Sequence, residues 1–173
     1  AGNAFKKALE IDGNHEPSRR SLVRVLEATG DFEGAVDQRQ RLLPLLEGQA
    51  KFETYVAIGE ACRDRLKDPY QAIDAFLGAS RIDPTLQVTE ALLGLYRETR
   101  QGQKAADVLA QIVRSPEMKA DPARAAKLHM SLAEILRDEV KDEQAAVNEL
   151  ERALDLNPRL VQAFAAVEEI LTK

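Results

Sequence analysis

The sequence predicts an all-α protein, an α-solenoid of antiparallel helix-turn-helix units, on three observations. A stretch is written twice. Ile58-Gly59-Glu60-Ala61-Cys62-Arg63-Asp64, running on through Asp68, Ala72, Phe76 and Ala79 to Asp83-Pro84, recurs 74 positions later as Leu132-Ala133-Glu134-Ile135-Leu136-Arg137-Asp138, running on through Asp142, Ala146, Leu150 and Ala153 to Asn157-Pro158. An internal repeat of this kind implies stacked units whose core lies between neighbours. Between these landmarks apolar residues return at alternating spacings of three and four, the signature of one helical face. The composition agrees: 45% of residues are hydrophobic but only 5% are aromatic and there is no Trp, so the core must be built from Leu, Ala, Val and Ile, which suits closely packed helices.

At 173 residues the chain has room for four to five such units of roughly 34 residues each. Its formal net charge is −5, and Lys and Arg are interspersed with Asp and Glu with no long basic run, so nucleic acid is not an expected partner. A single cysteine, Cys62, allows no internal disulfide and gives no sign of an oxidising compartment, which favours the cytoplasm. It sits on an apolar stripe and is expected to be buried packing. No stretch approaches the roughly 18 apolar residues of a membrane span, so no membrane insertion is expected. The chain lacks an initiator Met and opens in the middle of a unit, and it reads as a piece of a longer protein.

Taken in order, residues 3–12 predict a helix with Phe5, Ala8, Leu9 and Ile11 on its apolar side, closed by Gly13 in the left-handed conformation. Asn14 is positioned to cap the next helix, with Pro17 in its first turn. After Thr29-Gly30, Asp31 restarts the chain as an N-cap, and Pro44 should kink or end the helix that follows. A helix over 49–66 is expected to carry Phe52, Tyr55, Gly59, Cys62 and Leu66. Asp68, Pro69 and Gln71 form the N-cap, first position and capping-box residue of the next. Further helices cover 86–100, with Leu92, Leu93, Leu95 and Tyr96, and the stretch after Gly102, with Ala105, Val108, Leu109, Ile112 and Val113. The Ser115–Pro122 connection is the longest and holds two prolines, so it is expected to be the most mobile. Asp121-Pro122 and Asp142 start two more helices. Pro158 opens a last one, whose Leu160, Phe164, Val167 and Leu171 share a face beside Val161 and Ile170.

These residues resemble the tetratricopeptide repeat, a helix-turn-helix unit of about 34 residues. The family's first helix carries a leucine, a small residue and, three later, an aromatic; here those places hold Leu22-Val23-Leu26, Ile58-Gly59-Cys62, Leu92-Leu93-Tyr96 and Leu132-Ala133-Leu136. Its second helix opens on an alanine, followed by a large residue and another alanine, matched by Ala35, Ala72-Phe76-Ala79, Ala105-Leu109 and Ala146-Leu150-Ala153. The closing proline is matched by Pro84 and Pro158. The resemblance divides residues 1–173 into a half-repeat 1–13, repeats 14–48, 49–84, 85–119 and 120–158, and a terminal helix 159–173. It implies a right-handed superhelix. Three departures stand out: the hallmark tryptophan is absent, two repeats have one extra residue in their inner turn, and Arg39 stands where a large apolar residue is expected. The alanines have a physical reason, since paired helices approach to about 8–10 Å and need small residues where the backbones meet.

No nucleotide-binding glycine motif occurs, and His15, His129 and Cys62 lie on different repeats without metal-ligand spacing, so no cofactor and no metal are expected. A catalytic pair can be drawn from Glu60 and Glu134, but repeated positions serve the repeat, and each has an arginine three residues on, Arg63 or Arg137, within salt-bridging reach. An enzyme is not expected. The resemblance implies instead a protein-interaction module of scaffold or adaptor type, whose stacked first helices line a groove for a protein or peptide. That groove would be lined by Arg20, Arg24, Val56, Glu60, Arg63, Glu90, Arg97, Met130, Glu134 and Arg137. Family members that bind chaperone carboxyl termini carry lysines and asparagines on successive first helices. Asn3, Asn14, Asn148 and Asn157 do not fall there, so this chain does not resemble that group. The second expectation is a structural spacer in a longer array, self-associating through end faces that include Phe164 and Leu171.

Overall fold

The structure, a computed structural model, describes residues 2–172 and contains only helices and their connections among them. The helices are α1 (Gly2–Ile11), α2 (Glu16–Ala28), α3 (Phe32–Leu42), α4 (Gly48–Ala61), α5 (Pro69–Ser80), α6 (Leu86–Glu98), α7 (Gly102–Val113), α8 (Pro116–Ala120), α9 (Pro122–Ile135), α10 (Glu143–Leu156) and α11 (Val161–Leu171). The chain forms two compact units, Ala1–Val88 and Thr89–Lys173.

In the first unit each helix from α1 to α5 packs on the next. Asp31 caps α3 by accepting from the Gly34 amide, and Asp68 caps α5 by accepting from the Tyr70 and Gln71 amides. Such caps satisfy N–H groups that have no partner inside the helix. The expected capping box is altered: the Asp68 amide is spent on the Cys62 carbonyl, so the Gln71 side chain donates to the Asp68 carboxylate instead. Pro44 ends α3, and the chain passes through a 3-10 turn, Leu43–Leu45. Two expectations at the amino end are corrected. The cap of α2 is His15, whose Nδ1 accepts from the Ser18 amide, while the Asn14 amide turns back to the Asp12 carboxylate. Gly13 is not left-handed; the glycines with positive φ are Gly30 (78°) and Gly48 (52°).

Small residues sit where helices meet. Ala35, Ala72 and Ala79 are fully buried. Gly59 and Gly78 make a reciprocal pair of close approaches between α4 and α5: a Cβ at Gly59 would lie 2.8 Å from the Phe76 ring, and one at Gly78 would lie 2.5 Å from the Tyr55 ring. Cys62 is fully buried, as its place on the apolar stripe predicts. Where Arg39 replaces an apolar residue, its guanidinium crosses from α3 to Glu27 of α2 at 2.6 Å, so an ion pair stands in for the missing contact.

In the second unit α9 packs on α7 and α10, and α10 on α11. Ala105 and Ala146 are again fully buried, and Asp121 and Asp142 cap α9 and α10 through the Arg124 and Ala145 amides. The Ser115–Pro122 connection is not an open loop. It contains α8, whose Met118 is buried and ties the segment to the core. Pro158 does not open the last helix: residues 157–160 form a turn, and α11 starts at Val161. The residues expected to share one face of α11 divide between core and surface. Ala163 and Ile170 are buried with Leu160, Ala166 and Val167 packed beside them, whereas Phe164 is 53% exposed and Val161 76%. The Leu171 side chain lies outside the described residues.

The helices α4 and α9 do not end as simple α-helices. Each passes into a π-helical turn, Cys62–Leu66 and Leu136–Val140, closed by a left-handed lysine, Lys67 (φ 55°) or Lys141 (φ 66°). These are the two inner turns with one residue too many.

Candidate functional site

The first helices of the repeats are α2, α4, α6 and α9, with α11 following the same pattern. Arg20, Arg24, Glu60, Glu90, Arg97 and Glu134 are exposed on them, and Val56, Arg63, Met130 and Arg137 are half-buried. Exposure follows from the repeat, because the leucine and small positions of the same helices turn into the core: Leu22, Ile58, Leu92 and Leu132 are all buried.

The arginines do not pair with the glutamates three residues before them. The Arg63 guanidinium forks onto its neighbour Asp64, with Nε to Oδ1 at 2.7 Å and Nη2 to Oδ2 at 2.9 Å, and Arg137 does the same with Asp138 at 2.7 and 3.1 Å. Both forks lie within the π turns, Arg63–Asp64 in Cys62–Leu66 and Arg137–Asp138 in Leu136–Val140. The hydrogen bond raises the Arg63 and Arg137 guanidiniums above their usual range and holds the Asp64 carboxyl below its own. Arg63 also lies over the Phe76 ring at 5.8 Å, and Arg65 over the Phe32 ring at 5.2 Å.

Other candidates are tied down as well. Arg20 bonds to Glu16 one turn back. Within the second unit, Glu90 of α6 pairs with Arg124 of α9 at 2.8 Å, and Arg137 approaches Glu169 of α11 at 3.8 Å, so consecutive first helices are linked by charge. Met130 is not a free apolar anchor; it packs against the core cluster of Ala133, Ala146 and Leu150. What remains is a mixed set. Arg24 and Glu60 in the first unit, and Arg97 and Glu134 in the second, are exposed and make no hydrogen bond or ion pair among the described residues. Glu60 lines a shallow cavity of about 360 Å³ between α2, α3 and α4, beside the Glu27–Arg39 pair and Phe32.

Sequence reasoning missed a second set of polar residues, on the side of the second helices. In the first unit Arg19 of α2 donates from Nη1 to the Gln38 amide oxygen of α3 at 2.6 Å, near Arg41. In the second, His129 of α9 and Glu149 of α10 meet at 2.7 Å, near Arg152. The signal was present in register: Arg19 and His129 each stand three residues before the repeat leucine, and Gln38 and Glu149 three residues after the repeat alanine. No group of three or more His, Cys, Asp or Glu among the described residues is arranged to hold a metal. No described helix is long and apolar enough to cross a membrane.

No family model matches the chain, and no curated protein sequence matches it. Solved structures do. A crystal structure of MamA protein is similar over 92% of this chain and 82% of its own, at 17% identity and a TM-score of 0.56. The crystal structure of YrrB, described as a TPR protein with an unusual peptide-binding site, is similar over 95% of this chain and 80% of its own, at 16% identity and a TM-score of 0.54. BtubC from P. vanneervenii is similar over 99% of this chain and 79% of its own, at 16% identity and a TM-score of 0.51.

Proposed function

We propose that this chain, a tetratricopeptide-repeat array by its fold, is a protein-interaction module that receives a segment of another polypeptide against its first helices, in a scaffold or adaptor role. The observation that carries the reading is the set of exposed charges that make no hydrogen bond or salt bridge among the described residues, Arg24 and Glu60 in one unit and Arg97 and Glu134 in the other. Exposed charges of both signs favour a segment that itself carries both signs, with electrostatic complementarity acting on register and association rate more than on affinity. The paired arginines Arg63 and Arg137 contribute a rigid polar surface rather than free charge. Peptide binding by YrrB, named in its description, is consistent with this use of the fold.

The test is to identify a polypeptide captured from the native lysate, map the bound segment, and measure its affinity for the wild type and for the Arg24→Glu, Arg97→Glu double variant. The expected result is a loss of about tenfold or more with helix content and melting unchanged, since the double variant reverses two charges that support no internal contact. Undiminished affinity would move the site off the first helices.

A second reading, a spacer that self-associates through its end, is favoured by Phe164 and Val161, which expose apolar surface on α11. Sedimentation of the wild type and of Phe164→Glu separates the two. A concentration-dependent dimer abolished by the substitution supports the spacer reading.

A further inference from the structure

The repeat register places the same three positions at one spot in each repeat. In the first repeat they hold Arg19, Gln38 and Arg41, in the second Tyr55, Ala75 and Gly78, and in the fourth His129, Glu149 and Arg152. In the second repeat the Tyr55 ring lies over Gly78, so closely that no side chain fits there, and the spot is filled. In the first and fourth repeats it is open. A cavity of about 720 Å³ lies between α1, α2 and α3, and one of about 490 Å³ between α7, α9 and α10. In a chain of net charge −5, each cavity is lined by three Lys or Arg side chains and one carboxylate.

The two floors are completed differently. In the second unit Glu149 supplies an anion from within the chain, accepting from His129 and from Arg152. In the first unit the equivalent position is the neutral Gln38. Arg19 is only 7% exposed, and its guanidinium is met by the Gln38 amide oxygen and the Gly13 carbonyl, with its Nε buried and without a hydrogen-bond partner among the described residues. Asp37, next to Gln38 on α3, is engaged by Arg41 through both oxygens and also accepts from the Gln38 side-chain amide, while Glu10 stands on the cavity wall. A buried guanidinium with only neutral acceptors and an idle donor is the costly half of an ion pair. Burial and the neighbouring Arg41 push Arg19 below its usual range, against a smaller opposing pull from Asp37.

We propose that the cavity between α1, α2 and α3 is a subsite for the carboxylate of a glutamate or aspartate side chain in an acidic polypeptide segment, held by Arg19 with Lys6 and Arg41 at the rim. The walls argue for a side chain rather than a bare inorganic anion: Leu9, Leu22 and Pro44 line the cavity beside the cations and suit a methylene stem. Glu10, also on the wall, disfavours a doubly charged phosphate more than a single carboxylate. This surface lies on the side of the second helices and does not depend on the first-helix reading.

The fourth repeat supplies the test. Gln38→Glu places in the first unit the internal anion that Glu149 provides in the second, and it should occupy the site permanently. The probe is a fluorescein-labelled, end-capped peptide of alternating Glu and Ala, read by anisotropy at low salt, with a Gln–Ala peptide as control and inorganic phosphate as a competitor. The Glu–Ala peptide is expected to bind and the Gln–Ala peptide not. Gln38→Glu should weaken binding about tenfold or more, as loss of a charge-assisted contact does, while the melting temperature stays the same or rises. Lys6→Ala should weaken it several-fold, and Lys127→Glu, at an exposed position of the other unit outside both cavities, should leave it unchanged. Binding that survives Gln38→Glu, or that falls equally with Lys127→Glu, overturns the proposal. Binding of phosphate at the same site without binding of the Glu–Ala peptide overturns the assignment to a carboxylate side chain.

Discussion

The turn from α2 to α3 and the turn from α4 to α5 make the same connection with different numbers of residues. In the first, the amide of the capping Asp31 reaches back five residues to the Leu26 carbonyl, through Gly30 in the left-handed conformation. In the second, the amide of the capping Asp68 reaches back six, to the Cys62 carbonyl, and the extra residue is absorbed by the π turn. Leu26 and Cys62 hold the same place in the repeat, and so do Asp31 and Asp68. The insertion is therefore taken up before the second helix begins, and Ala35 and Ala72 reach the same fully buried contact. The second unit repeats the contrast: Gln101 returns to Tyr96 through left-handed Arg100, and Asp142 to Leu136 through the π turn and Lys141. Packing of the alanine contact outweighs the regularity of the turn that leads to it, because a misplaced helix would lose far more apolar burial than one distorted turn costs.

The strongest way to break this equivalence is to enlarge the contact that both turns serve. Ala72→Leu and Ala146→Leu should each cost about 1–3 kcal/mol through overpacking, read as a lower melting temperature. If both melted like the wild type, the alanines would not be the points that the turns are arranged to deliver.

Removing the caps comes next. Asp68→Ala and Asp142→Ala should each lose about 0.5–2 kcal/mol in denaturant titration. The pH dependence has a definite sign. The Gln71 and Tyr70 amides and the Gln71 side chain hold the Asp68 carboxyl below its usual range in the folded state. Its contribution is then fully present above the unfolded value of about 4 and is lost as pH falls through the lower folded value. Asp68→Asn keeps an acceptor without the charge and should flatten that part of the acid limb; an unchanged acid profile would remove Asp68 from the account.

A smaller effect sharpens the comparison of the two turns. Lys67 holds the left-handed conformation that Gly30 holds in the shorter turn. Lys67→Gly should gain up to about 1 kcal/mol and Gly30→Ala should lose about as much, because a Cβ is penalised in this region. Opposite signs at matched positions are the expected outcome in thermal melts, and a loss at both would show that the lysine stem contributes packing of its own.

The smallest effect is chemical. Cys62 lies under the longer turn, fully buried, and burial together with nearby Asp68 raises its thiol above the ordinary range. A thiol-disulfide reagent at neutral pH should label it only as fast as the protein opens, and Lys67→Gly should slow the labelling. Rapid labelling of the native protein would mean that the π turn opens independently of the fold.

Most of the fold was legible because it rests on chemistry between near neighbours in the chain. Asp31, Asp68, Asp121 and Asp142 cap the helices that they precede, Pro44 ends the one it stands in, and the repeated alanines mark where paired helices touch. Each of these depends on residues a few positions away or on a register that the chain writes out several times. The exposed first-helix residues followed from the same register. What tertiary structure decided involves partners that the local pattern does not name. The surplus inner-turn residues became π turns because both ends of each connection were already held by packing, and Lys67, Arg100 and Lys141 took the conformation reserved in the sequence for glycine. Met118 drew the Ser115–Pro122 segment into a helix, and Ala163 rather than Phe164 was turned inward on α11. Arg19 met Gln38, and His129 met Glu149, because two helices brought them face to face across about twenty residues of chain, and whether that meeting is filled, self-neutralised or left open depends on the side chains that happen to surround it.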